Sequence, residues 1–312
     1  MLRTNDSRIL VFGGNGQLGR DLAKAAVKRN LLLRALPRSS SDIADAEAVE
    51  LAIAEFRPSL VVNAAAYTNV DNAEIEREAA ERANVVGPSV LASVCEKAQV
   101  PIVHISSDYV FDGTKKAAYV ENDSVAPIGF YGLTKARGEV AVRSAAKRHV
   151  ILRVSWLYGE YGSNFLKTML RLAGERSEIG VVADQYGCPT SSRDLSNAIL
   201  QVSHLISAGK PVFGTYHFCG DGVTSWHGFA SLVIGRFSEL TGKRVLVRAI
   251  STSDYPTRAK RPANSALDTR KFESTFGLRG RPWAKEVIEI TESLVRQESA
   301  FETLRELINA RL

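Results

Sequence analysis

Cysteine is scarce in this chain. Its 312 residues hold three, Cys95, Cys188 and Cys219, far apart and without a CxxC or Cys/His spacing. That excludes a disulfide framework and leaves no sequence signature of a zinc site. No run of five Lys or Arg occurs and the formal net charge is only +6, so the basic footprint of a nucleic-acid binder is missing. No stretch approaches the roughly 18 apolar residues of a membrane span. Residues 1–16 lack the apolar core of a secretory signal. Together these absences predict a cytoplasmic protein that binds neither nucleic acid nor membrane. What is present is ordinary for a globular fold: 45% hydrophobic and 24% charged residues, in a chain long enough to bury its own core.

The first half alternates short apolar runs with helical patterns. Arg8–Phe12 (RILVF), 31–36, Leu60–Asn63 (LVVN), 101–106 (PIVHIS) and 150–154 (VILRV) read as strands. Between them 17–29, 45–56, 79–98 and 131–147 carry helical spacing, with Pro58 ending the second helix. Continuous apolar strands alternating with helices imply a parallel sheet covered on both faces. The predicted fold class is therefore α/β, a doubly wound parallel sheet (Rossmann fold) with a smaller C-terminal substrate-binding portion. We divide the chain at residue 155, with 156–312 mainly substrate-binding and partly interleaved with the sheet. In that second half, helices are expected over 165–173, 194–206, 226–241 and 283–312, between loops rich in Gly, Pro, Ser and Thr.

The first strand runs into Gly13-Gly14-Asn15-Gly16-Gln17-Leu18-Gly19. A GxGxxG turn between strand and helix lets backbone N–H groups approach a dinucleotide pyrophosphate at the helix N-terminus. Gly13, Asn15, Gly16, Gln17, Leu18 and Gly19 are accordingly candidate cofactor residues; a plain strand–turn–helix corner is the alternative. A carboxylate for the adenosine ribose is expected about 20 residues on. There the chain offers Arg34, Arg38 and Ser39–Ser41, with no acid before Asp42. Arginine and serine accept a 2′-phosphate that a carboxylate would repel, so NADP(H) is favoured over NAD(H). A merely solvated Arg38 is the competing reading. Asp42 and Ile43 are placed beside the adenine, and Asp45 as a helix N-cap.

Tyr131 and Lys135 stand four apart, on one face of a helix. An ammonium beside a tyrosine lowers the hydroxyl's pKa from its usual value near 10, and can also hold ribose hydroxyls. YxxxK is common as a coincidence; its position after four strand–helix units is what gives it weight here. Ser106 and Ser107 end the fourth strand, where carboxyl ends line the ligand crevice. One of them is expected to polarise a substrate carbonyl, the other to cap the strand.

The segments GGNGQLG, NAAAYTNVDNAE, ISSDYVFDG, YGLTK, LRVSWLYG, DQYGCPT and RPANSALD resemble those of the dTDP-4-dehydrorhamnose reductases, extended short-chain dehydrogenases, over roughly residues 8–280. The resemblance implies reduction of the C4 ketone of dTDP-4-dehydro-β-L-rhamnose by NADP(H) or NAD(H), in support of polysaccharide biosynthesis. It makes Tyr131 the proton donor, Lys135 its tuner and cofactor ligand, and Ser107 the third catalytic group, where the family often has threonine. Asn15, Gly16 and Gln17 should touch the pyrophosphate, and Ala64, Ala65 and Tyr67 should line the cofactor. Asp108, Trp156 and Asn164 are expected at the sugar nucleotide, although Trp156 alone would read as core. Arg261 is a candidate partner for the diphosphate. The stretch 184–190 either shapes the pocket or is a turn. Some family members bridge a dimer through a metal on C-terminal carboxylates; Glu286, Glu289 and Glu292 read better as a solvated helix face, so no metal is predicted and a homodimer is left open. Two other readings compete: a reductase of another nucleotide-linked 4-keto-6-deoxysugar, and a non-catalytic NADP-binding subunit.

Overall fold

The computed structural model describes residues 7–309, and side chains as far as residue 297. Its first half is built as β1 (Arg8–Phe12), α1 (Gln17–Lys28), β2 (Leu32–Leu36), α2 (Ala46–Phe56), β3 (Leu60–Asn63), α3 (Arg77–Glu81), α4 (Gly87–Lys97), β4 (Ile102–Ser107), α5 (Phe130–Ala145) and β5 (His149–Val154). Then come β6 (Leu157–Tyr158), α6 (Phe165–Glu175), β7 (Glu178–Val182), β8 (Tyr186–Gly187), β9 (Thr190–Ser191), α7 (Ser192–Ser207) and β10 (Gly214–His217). The chain ends with β11 (Thr224–Ser225), α8 (Trp226–Thr241), β12 (Leu246–Ile250), α9 (Arg270–Phe276) and α10 (Trp283–Asn309). The helix expected over 283–312 is described as far as Asn309, and residues 310–312 lie outside the described ones.

Six parallel strands form the main sheet in the order β2-β1-β3-β4-β5-β10. Their apolar runs are buried on both faces: Ile9, Val11, Val62, Val103 and Leu152 face a core shared with α1 and α7, and Leu10, Val61, Ile102 and Ile151 one shared with α2, α4 and α5. β1 lies between β2 and β3, so the chain leaves it in both directions. A crevice opens at such a switch point, at the carboxyl ends of the strands. A third core, drawn from α6, α8, α10 and β7, holds the second half together. β10 closes the main sheet by pairing Gly214–His217 with Val150–Arg153, and α7 packs on α1.

The single helix expected over 79–98 is in fact α3 and α4 joined by a π-helical turn, Arg82–Val86. The wide turn carries Asn84 inward, fully buried, where its amide accepts from Tyr67 N and donates to Tyr67 O and to Thr134 Oγ1. Such turns recur at functional sites, and this one braces the loop after β3 against α5. α7 begins at Ser192, two residues earlier than expected, because Ser191 caps it by accepting from Asp194 N.

Candidate active site

A cavity of about 1040 Å³ opens along the carboxyl ends of β1, β3, β4 and β5 and continues between α6, β7 and the 255–261 loop. At one end lies the glycine turn. Gly13 has φ +89°, and a Cβ there would sit 2.6 Å from Ala65 N; one on Gly19 would sit 2.5 Å from Gly13 O. The turn is therefore packed backbone on backbone. α1 starts from Gly16 with no side-chain cap and no acid in its first turn. The neighbouring Gln17 Oε1 is buried without a partner. An uncapped helix N-terminus, an orphaned polar atom and a turn stripped of side chains fit a pyrophosphate. Gly16, Gln17, Leu18, Ala64 and Ala65 line the cavity, whereas Gly13 and Gly19 shape the turn beneath it.

The structure brings Ser107, Tyr131 and Lys135 together on the cavity wall. Ser107, at the end of β4, shares the cavity wall with Tyr131. Its Oγ donates to Asp108 Oδ1 (2.8 Å) and accepts from Tyr109 N (3.1 Å), fixing the turn that follows the strand. Tyr131 packs edge-on against Tyr109, ring centroids 5.8 Å apart. Lys135 is buried, its Nζ donating to Ile105 O at 2.7 Å. Ser106 takes a different path, donating to Glu139 at 2.6 Å. Glu139 stands four residues beyond Lys135 on the same helix face.

The electrostatics differ from the expectation at Tyr131. Burial pushes its hydroxyl up to about 12 against the opposing pull of the Ser107 hydroxyl, and the Asp108 carboxylate pushes the same way. The Lys135 ammonium does not set it, being turned to the Ile105 carbonyl. Burial lowers Lys135 itself to about 8, while the Glu139 carboxylate pulls upward. A tyrosine that stays protonated suits proton donation rather than proton abstraction.

Asp108 does not face the cavity. It is buried behind Ser107, accepting from Ser107 and, at 3.0 Å, from Ser155. Burial raises it to about 6, outweighing hydrogen bonds from Ser265, Ser107 and Ser155. Its unfolded value lies near 3.9, so the folded chain binds the extra proton and stability should fall as pH rises from about 4 to 6, by roughly 3 kcal/mol. Urea melts across that range should show the decline in the native chain and a flatter profile in Asp108→Asn; identical slopes would remove Asp108 as the cause.

Trp156 lines the cavity with φ +48°, its indole stacked on Trp226 (centroids 3.5 Å, planes 6° apart) and pressed against Gly187. It belongs at once to the core and to the site. Asn164 also lines the cavity, but its side chain is occupied: it caps α6 by accepting from Lys167 N and donates to Gly159 O. Arg261 reaches the cavity while paired with Asp71 at 2.8 Å, tying the loop after β3 to the 255–261 loop. In the 184–190 stretch, Gln185 lines the cavity, and Asp184 accepts from Thr252 in the loop beyond β12.

The adenosine end departs furthest from expectation. Ile43 is a core residue, 5% exposed, against Gly87 of α4. Tyr67 does not line the cavity; its hydroxyl donates to Glu76. Asn15 and Ser39 are exposed outside it. Asp42 is flanked by two arginines, Arg38 at 3.5 Å and Arg82 at 3.2 Å. Sequence reasoning missed Arg82, because the π-helical turn brings it back across the chain. The C-terminal carboxylates are likewise taken. Glu286, far from solvated, is buried and accepts from Ser191 while paired with Arg281; Glu289 pairs with Arg281 and Arg193, and Glu292 with Arg236. Among the described residues no three carboxylate, His or Cys side chains form a metal-sized cluster, and no helix is long and apolar enough to cross a membrane.

The model of the RmlD substrate binding domain matches residues 7–296. A dTDP-4-dehydrorhamnose reductase of Aggregatibacter actinomycetemcomitans is 44% identical over 286 residues, covering 89% of this chain and 96% of that protein. The crystal structure of a dTDP-4-dehydrorhamnose reductase from Clostridium acetobutylicum superposes with a TM-score of 0.85 at 37% identity, over 92% of this chain and 99% of the other. That of the Bacillus anthracis enzyme, in complex with NADP, does so with the same TM-score and coverage at 34% identity. With its sheet, its crevice and its Ser107–Tyr131–Lys135 group in place, the chain belongs to the dTDP-4-dehydrorhamnose reductase family.

Proposed function

We propose that this protein reduces the C4 ketone of dTDP-4-dehydro-β-L-rhamnose to give dTDP-β-L-rhamnose, with NADPH as donor and NADH as the alternative. The observation that carries this reading is the convergence of Ser107, Tyr131 and Lys135 on the wall of a cavity that runs to the glycine turn. A reduced nicotinamide, when bound, would supply the hydride to C4. Tyr131 gives its proton to the carbonyl oxygen as the C–O double bond becomes a single bond, and Ser107 holds that oxygen in line. Lys135 would hold the nicotinamide ribose. Gly16 and Gln17, with Ala64 and Ala65 beside them on the cavity wall, would hold the pyrophosphate at the start of α1. Trp156, Asn164 and Arg261 face the sugar nucleotide from the far side, and Asp108 acts through Ser107. The cofactor belongs mainly to residues before 156 and the sugar nucleotide mainly to those after.

The test is consumption of NADPH, and of NADH beside it, with enzymatically generated dTDP-4-dehydro-β-L-rhamnose, the product identified by NMR. Rapid consumption with the rhamno product is expected. A different C4 epimer would reassign the sugar, and tight NADPH binding without turnover would overturn the catalytic reading.

At the adenosine end, Arg38 and Arg82 together offset the charge of Asp42 and leave cationic capacity for a 2′-phosphate. Arg38→Asp should weaken NADPH binding about tenfold while NADH changes little. An unaltered preference between the two, read by fluorescence titration, would remove Arg38 from the cofactor site.

A further inference from the structure

Glu139 is fully buried, yet it carries a charge that four hydrogen bonds hold: Ser106 Oγ at 2.6 Å, Arg153 Nε and Nη2 at 2.8 Å each, and Arg143 Nη1 at 3.1 Å. These bonds join three elements. Glu139 rides on α5 with Tyr131 and Lys135; Ser106 adjoins Ser107 on β4; Arg153 lies on β5. An isolated buried carboxylate would be expelled or protonated, but here the two arginines and the serine hold it well below the usual carboxylate range, at about 2. The groups around the Lys135 ammonium are few. His104 on β4 is fully buried and kept neutral, with its Nδ1 beside the Asn63 amide. Arg143 and Arg153 are cations engaged with Glu139 itself, and His217 of β10 stands behind Arg153, also kept neutral by burial. Tyr131 is neutral. Glu139, one turn beyond Lys135 on α5, is thus the anion of this network, and it opposes the burial that drives the ammonium toward its neutral form.

We propose that Glu139 is a positioning residue for the reduction: its buried carboxylate keeps Lys135 charged and locks the helix bearing Tyr131 and Lys135 to the strand end bearing Ser107. The kinetic consequence rests on the reductase reading given above; the charge on Lys135 is a property of the ligand-free chain and is measured there.

The experiment is an NMR titration of lysine labelled with ¹³C at Cε in the full, ligand-free chain, the Lys135 resonance being identified by its loss in Lys135→Met. NADPH binding is measured in parallel across the same pH range. The native ammonium should titrate near pH 8. In Glu139→Gln the midpoint should fall by about one pH unit, with an NADPH affinity at pH 8 about fivefold weaker. Glu139→Asp, which keeps the charge, should recover most of both. An unmoved midpoint in Glu139→Gln overturns the proposal. Should that variant fail to fold, because it strands Arg153, the partly exposed Arg143 decides: Arg143→Gln removes a cation while keeping the carboxylate, so the midpoint should rise, and no rise overturns the proposal equally. A shifted midpoint without any sugar-nucleotide turnover in the native chain would instead count against the reductase reading and leave the electrostatic one standing.

Discussion

Tyr131→Phe should lower kcat by about 10²-fold or more, the usual scale for loss of a general acid, while NADPH binds as before. The phenyl ring keeps the edge contact with Tyr109 and the place in the cavity wall; only the hydroxyl goes. Stability should therefore change by no more than about 1 kcal/mol, which separates a catalytic loss from a folding one. The pH profile adds a second check. Because burial pushes the hydroxyl up to about 12, Tyr131 stays protonated throughout the working range and gives no alkaline limb of its own. The limb belongs to Lys135, whose ammonium is present below about 8 and lost as pH rises through it. Activity should accordingly fall above pH 8 in the native enzyme, and the residual activity of the phenylalanine variant should fall in the same place. Undiminished turnover in Tyr131→Phe would remove it as proton donor, and a limb that vanished with the hydroxyl would mean that the tyrosine, not the lysine, titrates there.

Gly132→Ala should be almost as damaging although it touches no reacting atom. In an exposed helix the exchange would help by about 1 kcal/mol. Here a Cβ on Gly132 would overlap the carbonyl oxygen of Tyr109 and sit 3.0 Å from the Pro127 side chain. A backbone oxygen in the turn that follows Ser107 cannot step aside as a flexible side chain can, so α5 must move. Overpacking of this kind costs about 1–3 kcal/mol, more than the propensity gain. Its larger effect is geometric, since α5 carries Tyr131 and the turn carries Ser107: a displacement of about 1 Å between them is worth about 10²-fold in rate. Steady-state kinetics alongside a thermal melt would read both effects. Native turnover with a raised melting temperature would show that the close approach is dispensable.

Much of this arrangement was legible in advance because it depends on local chemistry. Apolar runs such as RILVF and LVVN form buried parallel strands wherever they lie, and Gly13 and Gly19 mark a turn that tolerates no side chain. Tyr131 and Lys135 were placed on one face by helical spacing alone. Other residues depend on packing that local chemistry does not carry. Ile43 is placed by its position after β2, and Tyr67 and Asp108 by the family resemblance; packing against Gly87, a hydrogen bond to Glu76 and burial behind Ser107 decide where their side chains point. Arg82 and Asn84 were invisible because a π-helical turn leaves no mark in hydrophobic periodicity. Glu139 did leave one, at twice the Tyr131–Lys135 spacing, and its partner Arg153 closes a pair that only the sheet brings together.

The last strand of the main sheet has a consequence for how the chain comes off the ribosome. β5 pairs on one side with β4, but its other edge is covered only by β10, which is made after the whole of α6, β7 and α7. Until residues 214–217 emerge, the nascent first half carries an open, apolar strand edge of the kind that recruits foreign strands. α1 likewise waits for α7 to cover it. Synthesis at roughly 5–20 residues per second leaves that edge bare for several seconds. Chaperone demand should therefore be concentrated in the middle of translation, and the two halves of the chain are one unit as a folding problem.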